Sequence, residues 1–361
     1  MTKRILFIGP HRPNRSPSQR YRMEQFFPYL QQAGFQYDYS WFMNENDDRI
    51  FYSAGNRIGK MNIFLKAVSI RLRDVLRANQ YDVIFIQREA FMTGSVFFEK
   101  QFSRSKAKMI YDFDDAIWLE DTSSHNKNLS WLKRPSKTAD IIRLSDVVIA
   151  GNSFLAAYAK QFNPRVHIIP TVIDTEIYFP SKELPLQVLP VCIGWSGSKT
   201  TMKHFAMLLP VLKKLKEKFG ERIRYKVIGD KNFHSGDLQI EYSDWQFENE
   251  TEEFNKFDIG LMPLPDDEWS RGKCGFKALL YMSLEIPPVI SPVGVNTEIV
   301  QHGINGFLAD TPDEWMTFIS MLIESPGLRK KIGAAARQTV LEKYSVQSQL
   351  SSLISIFDKL K

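Results

Sequence analysis

The chain has 361 residues, 43% hydrophobic and 24% charged, with a formal net charge of +6. That length exceeds what one core usually organises, so two domains are expected, and the balanced composition excludes a disordered or collagen-like chain. Cys192 and Cys274 are the only cysteines, and the six histidines form no H-E-x-x-H pattern, which argues against a disulfide scaffold or a structural zinc site.

In chain order, RILFIG (4–9) is a short apolar run ending in Gly and Pro, a buried strand. Met23, Phe26, Phe27 and Leu30 follow at helical spacing, with Gly34 placed to close that helix. YDVIFIQ (81–87), KMIYDFDD (108–115), DVVIAGNS (146–153) and VHIIP (166–170) read as further strands, with a helix over 154–161. The pattern restarts with VCIGWSGS (191–198). A helix through Phe205, Leu208, Leu212 and Leu215 comes next, then strands at RYKVIGD (224–230), FDIGLMPLP (257–265), PPVISP (287–292) and GFLA (306–309). Helices are expected over 276–284, 312–324, 327–343 and 346–360. Strands alternating with helices predict parallel βαβ units, hence two doubly wound α/β domains facing a cleft. The expected limits are 1–180 and 188–345, a linker over about 175–187, and a C-terminal helix, 346–361, returning to the first domain.

Charge is uneven. Residues 1–180 carry 25 Lys+Arg against 18 Asp+Glu, a net of +7, and the remainder 22 against 23, a net of −1. The positive half suits a phosphorylated partner, an anionic membrane, or simply a solubilising surface. Segment 56–77 is basic and amphipathic. Met61, Phe64, Leu65, Val68, Leu72, Val75 and Leu76 share one face, and Lys60, Lys66, Arg71, Arg73 and Arg77 supply charge. Such a helix lies on a membrane or faces the core with its cations solvated. Free thiols and the lack of a leader pattern point to a reducing cytoplasm, at the inner face of the membrane if this helix docks there. No apolar run reaches the ~18 residues of a membrane span.

Ligands of doubly wound sheets bind beyond the carboxyl ends of the strands. Four segments stand there. Gly197, Ser198 and Lys199 open a helix after a strand, where amides attract anions, although an ordinary βα turn has the same form. Arg271, Lys273, Gly275, Phe276 and Lys277 interleave cations with glycines just before another helix, a pattern able to bind a diphosphate without a metal. Asp112, Asp114 and Asp115 end a strand and are suited to binding a metal, to acid–base work, to holding hydroxyls or to capping a helix. Ser18, Arg20 and Arg22 lie in the first loop. Arginines at a helix start oppose its dipole, so a phosphate or acidic acceptor beside them is one expectation and simple solvent exposure the other.

The whole chain resembles the retaining glycosyltransferases of family 4, the glycosyl transferases group 1, which have the GT-B fold. GNSFLAAYAKQF (151–162) and VHIIPTVIDTEIYFP (166–180) resemble the family's segment at the end of the first domain. GFKALLYMSLEIPPVISPVGVNTEIVQHGINGFLA (275–309) resembles its donor-binding core. The family's Glu-x7-Glu motif is not kept. Leu280 stands at the second Glu, which in family members usually binds the nucleotide ribose, and the first falls near Gly272 to Cys274. Glu285 stands where the family favours Gly. Lys273 to Lys277 match a Lys-x-Gly-Phe-Lys loop of one branch, and Asp114 or Asp115 lies near the position of an active-site His.

The resemblance implies an N-terminal acceptor domain, a C-terminal nucleotide-sugar domain, and transfer from a nucleotide-diphosphate sugar to a hydroxyl acceptor of a polysaccharide or lipid-linked glycan. Lys273, Lys277, Asp114 and Asp115 are the expected catalytic residues. Gly197, Ser198, Lys199, Arg271, Gly275 and Phe276 are the expected donor residues, and Ser18, Arg20 and Arg22 the acceptor residues. No cofactor, metal or nucleic acid is expected. The missing carboxylates leave open a binding protein without transfer, and a nucleotide-sugar 2-epimerase is a further alternative.

Overall fold

The computed structural model describes residues 3–53, 55–119, 134, 136–180, 190–229, 236 and 238–360. Residues 181–187 of the expected linker lie outside them. The chain divides into two units, Met1–Thr171 with Gln349–Lys361, and Val172–Ser348. The first unit thus ends at Thr171, where the sequence reading set the limit at 180.

The first unit holds one six-stranded parallel sheet. Its strands are β1 (Arg4–Ile8), β2 (Gln36–Ser40), β3 (Val83–Gln87), β4 (Lys108–Phe113), β5 (Val147–Ala150) and β6 (Val166–Ile168), in the order β2-β1-β3-β4-β5-β6. The central strands are apolar runs because helices cover both faces, and β3 is buried throughout. Chain order reverses between β1 and β3, which makes their carboxyl ends the switch point.

The single helix expected around Met23–Leu30 is broken. Helix Pro17–Arg22, a 3-10 turn Glu24–Phe26 and helix Phe27–Gln32 replace it. Met23 leaves the helical region at φ −141°, and Pro28 has no amide with which to continue a helix from the preceding turn. Met23, Phe26, Phe27 and Leu30 remain buried. The C-terminal helix Val346–Lys359 packs on this unit. The Lys3 ammonium donates to the Leu360 carbonyl at 3.0 Å, and the Phe35 and Phe357 ring centroids are 5.7 Å apart.

Helix Arg57–Arg77 fills the expected segment 56–77, and of the two orientations the sequence left open it does not turn its apolar stripe to the core. It turns Ile63, Ala67, Arg71 and Asp74 inward, and Ile58, Met61, Leu65, Leu72 and Leu76 outward. Arg71 is not a surface cation. It donates to Asp74 (2.9 Å), to the Ser40 hydroxyl (2.9 Å), and to the carbonyls of Gly9 (2.9 Å) and Ala90 (2.6 Å). Those acceptors stand at or just beyond the carboxyl ends of β1, β2 and β3, so one buried guanidinium ties together the rim of the sheet.

The second unit repeats the architecture. β7 (Val191–Ser196), β8 (Ile223–Ile228), β9 (Ile240–Ser243), β10 (Ile259–Met262), β11 (Pro288–Ile290) and β12 (Phe307–Leu308) run parallel in the order β12-β11-β10-β7-β8-β9. This is the doubly wound order of dinucleotide-binding sheets, with its switch point between β7 and β10. Ile193, Trp195, Leu212, Leu215, Tyr225 and Ile259 lie in its core. Pro210 splits the long helix expected here into Met202–Ala206 and Leu209–Phe219.

Tyr281 fastens the switch point. Its hydroxyl accepts from the Ser196 amide and donates to the Leu261 carbonyl, both at 3.2 Å, and so bridges β7 and β10. Gly260 makes the room, since a Cβ there would stand 2.4 Å from the Tyr281 ring.

Candidate active site

In the second unit, two loops leave the switch point. After β7, Ser198 and Lys199 are exposed at the start of the 3-10 turn Lys199–Thr201. The Gly197 amide is not available to an anion, because it donates to the Ile228 carbonyl at 3.0 Å. That corrects its expected role as a donor. After β10, the chain runs to Gly275 and helix Phe276–Ser283. Gly275 has φ +68°, and a Cβ there would stand 2.3 Å from Ile299. Only glycine fits both demands, and this fixes where the helix and its first-turn amides begin.

Lys277 holds its ammonium 5.2 Å from the centroid of the buried Trp195 ring, and Lys273 lies 5.4 Å from that of Trp269. Phe276 is half-buried at the first position of the helix. His204, which sequence reasoning did not single out, joins this group. Burial, and then the charges of Lys277, Lys273 and Lys203, push its pKa down to about 4. The imidazole is therefore neutral, and the three lysines form one positive field around it. Arg271 stands apart. It is exposed and forks onto Asp266 at 2.7 and 3.0 Å, a surface ion pair. Leu280 is fully buried in helix Phe276–Ser283.

In the first unit the structure brings Ser18, Asp114 and Asp115 together. The Ser18 hydroxyl donates to Asp114 at 2.6 Å and accepts from the Gln87 amide at 2.7 Å. Arg88, also absent from the sequence reading, donates to Asp114 at 2.8 Å and to Asp115. Its φ of +62° is costly for an arginine and turns the side chain from the end of β3 toward these acids. Burial raises the Asp114 pKa, but Arg88, Arg22 and the bond from Ser18 outweigh it, so the carboxylate is held below its usual range. Neither Asp114 nor Asp115 caps a helix among the described residues.

Arg20 and Arg22 do not stand at a helix start. Helix Pro17–Arg22 is so short that both fall in its last turn, where a cation complements the dipole. Arg22 is buried and donates to Asp112 at 3.1 Å and to the Ile169 carbonyl at 2.6 Å. Burial pushes Asp112 up to about 6 against the pull of Arg22. Arg20 is buried 4.5 Å from the centre of the Tyr21 ring and donates to its hydroxyl at 2.9 Å. Arg22 thus belongs to the scaffold beneath Asp114 and Arg20 is buried against Tyr21, so neither is the surface phosphate ligand that was expected. Three residues beyond Asp115, Trp118 stacks on Tyr158 at 3.7 Å.

Among the described residues no group of His, Cys, Asp and Glu is placed to hold a metal ion. Cys192 and Cys274 are buried and form no disulfide with each other. No helix among those residues is long and apolar enough to cross a membrane.

Residues 190–325 match the family model described as Glycosyl transferases group 1. No curated protein matches the chain by sequence. Among solved structures, the chain is similar to Anabaena HepE in complex with UDP and glucose, with 15% identity, a TM-score of 0.68, and cover of 99% of this chain and 100% of that one. It is also similar to sucrose-phosphate synthase from Thermosynechococcus elongatus, with 13% identity, a TM-score of 0.71, and cover of 99% of each chain. The two six-stranded parallel sheets and their flanking helices are those of the GT-B fold. Residues 190–325 are thus similar to the glycosyl transferases group 1 family within a chain of GT-B fold, a match that supports a glycosyltransferase.

Proposed function

We propose that the enzyme moves a sugar from a nucleotide-diphosphate sugar to a hydroxyl of a polysaccharide or lipid-linked acceptor, with retention and without a metal ion. The observation that carries this reading is a coincidence of position. The group 1 match spans the switch point of the second sheet, and the cluster of Lys273, Lys277 and Lys203 stands beside it. The bond from the anomeric carbon to the leaving phosphate oxygen breaks, and a bond to the acceptor oxygen forms. The acceptor proton passes to that phosphate oxygen. Negative charge builds on the diphosphate, and preorganised cations stabilise it most where little reorganisation is needed. Lys273 and Lys277 supply that charge, with the Ser198 amide, Lys199 and the first turn of helix Phe276–Ser283 near the diphosphate.

Asp114 orients the acceptor or the sugar. Its depressed pKa makes it a weak base, which suits a reaction whose leaving phosphate takes the proton. Buried Cys192 and Cys274, with no disulfide between them, fit a reducing cytoplasm.

The test is a thermal-shift panel of nucleotide sugars with and without EDTA, because a ligand of the native state raises the melting temperature. A shift with one donor, unchanged by EDTA, is the expected result. No shift across the panel, or one abolished by EDTA, refutes it. Buried Leu280 favours a second reading. A leucine accepts no hydrogen bond from a ribose, and a chain that binds the nucleotide without transfer would shift in the panel yet release no sugar.

A further inference from the structure

Helix Arg57–Arg77 buries charge and exposes hydrocarbon, the reverse of an ordinary surface helix. At about 100° per residue, Ile58, Met61, Leu65, Leu72 and Leu76 fall within about 60° of arc and extend roughly 27 Å along the axis. Ile58 is 78% exposed, Leu65 57% and Leu76 85%. The inward stripe of Ile63, Ala67, Arg71 and Asp74 lies on the far side of the helix.

The charge flanking the exposed stripe has one sign. Arg57 lies along one edge, Lys66 and Arg73 along the other, and Lys60 falls on the inward side. The only acid of the helix is Asp74, which is buried between Arg71 at 2.9 Å and Arg77 at 3.0 Å. Lys66 is matched by Asp47 at 2.6 Å. Neither Arg57 nor Arg73 has an acidic partner among the described residues.

We propose that this face lies on an anionic lipid surface, the hydrocarbon stripe entering the headgroup boundary and the basic edges meeting lipid phosphates. An amphipathic helix with an apolar face and a basic polar face binds in the plane of such a surface. Cations on both edges disfavour a second copy of the chain, since pairing would bring like charges together. The proposal deepens the lipid-linked reading of the acceptor, and it holds whether or not sugar is transferred.

The experiment is flotation of the full chain with vesicles of phosphatidylcholine alone, and of phosphatidylcholine with phosphatidylglycerol in equal parts. Binding to the anionic vesicles, weakened by salt, is expected, with little to the neutral ones. A basic residue near the surface contributes about fivefold to partitioning, so Arg57→Gln with Arg73→Gln lowers it about 25-fold. Leu65→Ser with Leu72→Ser abolishes it. These positions are exposed, so melting temperatures stay near that of the parent. Equal binding to both vesicles, no binding, or full binding by either double variant overturns the proposal. So does a parent dimer that Leu65→Ser with Leu72→Ser dissociates while vesicles are ignored. The nucleotide-sugar thermal shift, run on the same proteins, separates the two readings: a lost vesicle interaction with the donor shift intact sinks only the docking, and the converse sinks only the transfer.

Discussion

Replacing Lys277 and Lys273 by Ala, singly and together, tests the diphosphate clamp. Lys277 keeps its ammonium over a buried indole, 5.2 Å from the ring centre, so it is placed before any substrate arrives. A unit charge 4 Å from another contributes about 4 kcal/mol at an effective dielectric of about 20. Loss of one preorganised donor to a developing anion costs about 10²- to 10³-fold in kcat, about 3–4 kcal/mol. Each single variant is expected in that range, with KM changed less than kcat, because the charge grows only as the bond breaks. The double variant falls short of the product of the two, since both lysines serve one diphosphate. The assay is the initial rate of nucleotide diphosphate release, with the donor found by thermal shift. His204 supplies an independent gauge. Its pKa of about 4 is set by burial and then by Lys277 and Lys273, so removing either lysine raises it, as NMR titration of the imidazole reads. A double variant with a raised His204 pKa and undiminished kcat refutes the clamp. An unmoved His204 refutes the placement of the lysines.

Glu285 is exposed and holds φ +59°, a conformation that costs an L-residue about 1–2 kcal/mol. Glu285→Gly is expected to gain about 1 kcal/mol after the added chain entropy of glycine, read from urea midpoints; a loss of stability contradicts the strain. Arg88→Met removes the cation that pairs with half-buried Asp114 and Asp115. It is expected to cost about 3–5 kcal/mol, with partial rescue by Lys, and a change under 1 kcal/mol in the same unfolding assay refutes the pairing. His11 and His204 are both lowered to about 4, burial being the first cause in each. The unfolded chain takes up protons near pH 6.5 while the folded one does not. Stability is therefore whole above 6.5 and falls as the pH drops toward 4, by up to about 1.4 kcal/mol per pH unit for each histidine. His204→Gln should reduce that slope; stability rising toward pH 5 contradicts the assignment.

The sequence made the central strands legible because a strand covered on both faces is an apolar run, as β3 and β5 are. It hid β2 and β9, which are edge strands with half-buried polar residues. Hydrophobic spacing also ran across Pro28 and Pro210, where the apolar positions stay buried but the missing amide divides the helix. At the site, the glycine–cation loops could be found because the relevant spacing is local. The partners could not. Arg271 meets Asp266 five residues away at the surface, Arg22 is buried against Asp112 ninety residues away, and spacing alone shows neither partner. His204, Gln87, Arg88 and Tyr281 carry no motif. Each matters through a neighbour that only the folded sheet supplies.

Helix Arg57–Arg77 shows where such reading stops. Periodicity sorts its side chains onto faces but does not say which face turns inward, and the apolar stripe was the natural choice. What decides is the demand on the other side. Where β1, β2 and β3 end, the Gly9 and Ala90 carbonyls and the Ser40 hydroxyl converge under the helix. Covering them with leucine would bury polar groups without partners, at about 1–3 kcal/mol each. Arg71 reaches all three and brings Asp74 to balance its charge, so the polar stripe is the one that fits against the sheet. The hydrocarbon left outside is then a consequence of the rim it covers, and the basic edges beside it determine what that hydrocarbon can meet.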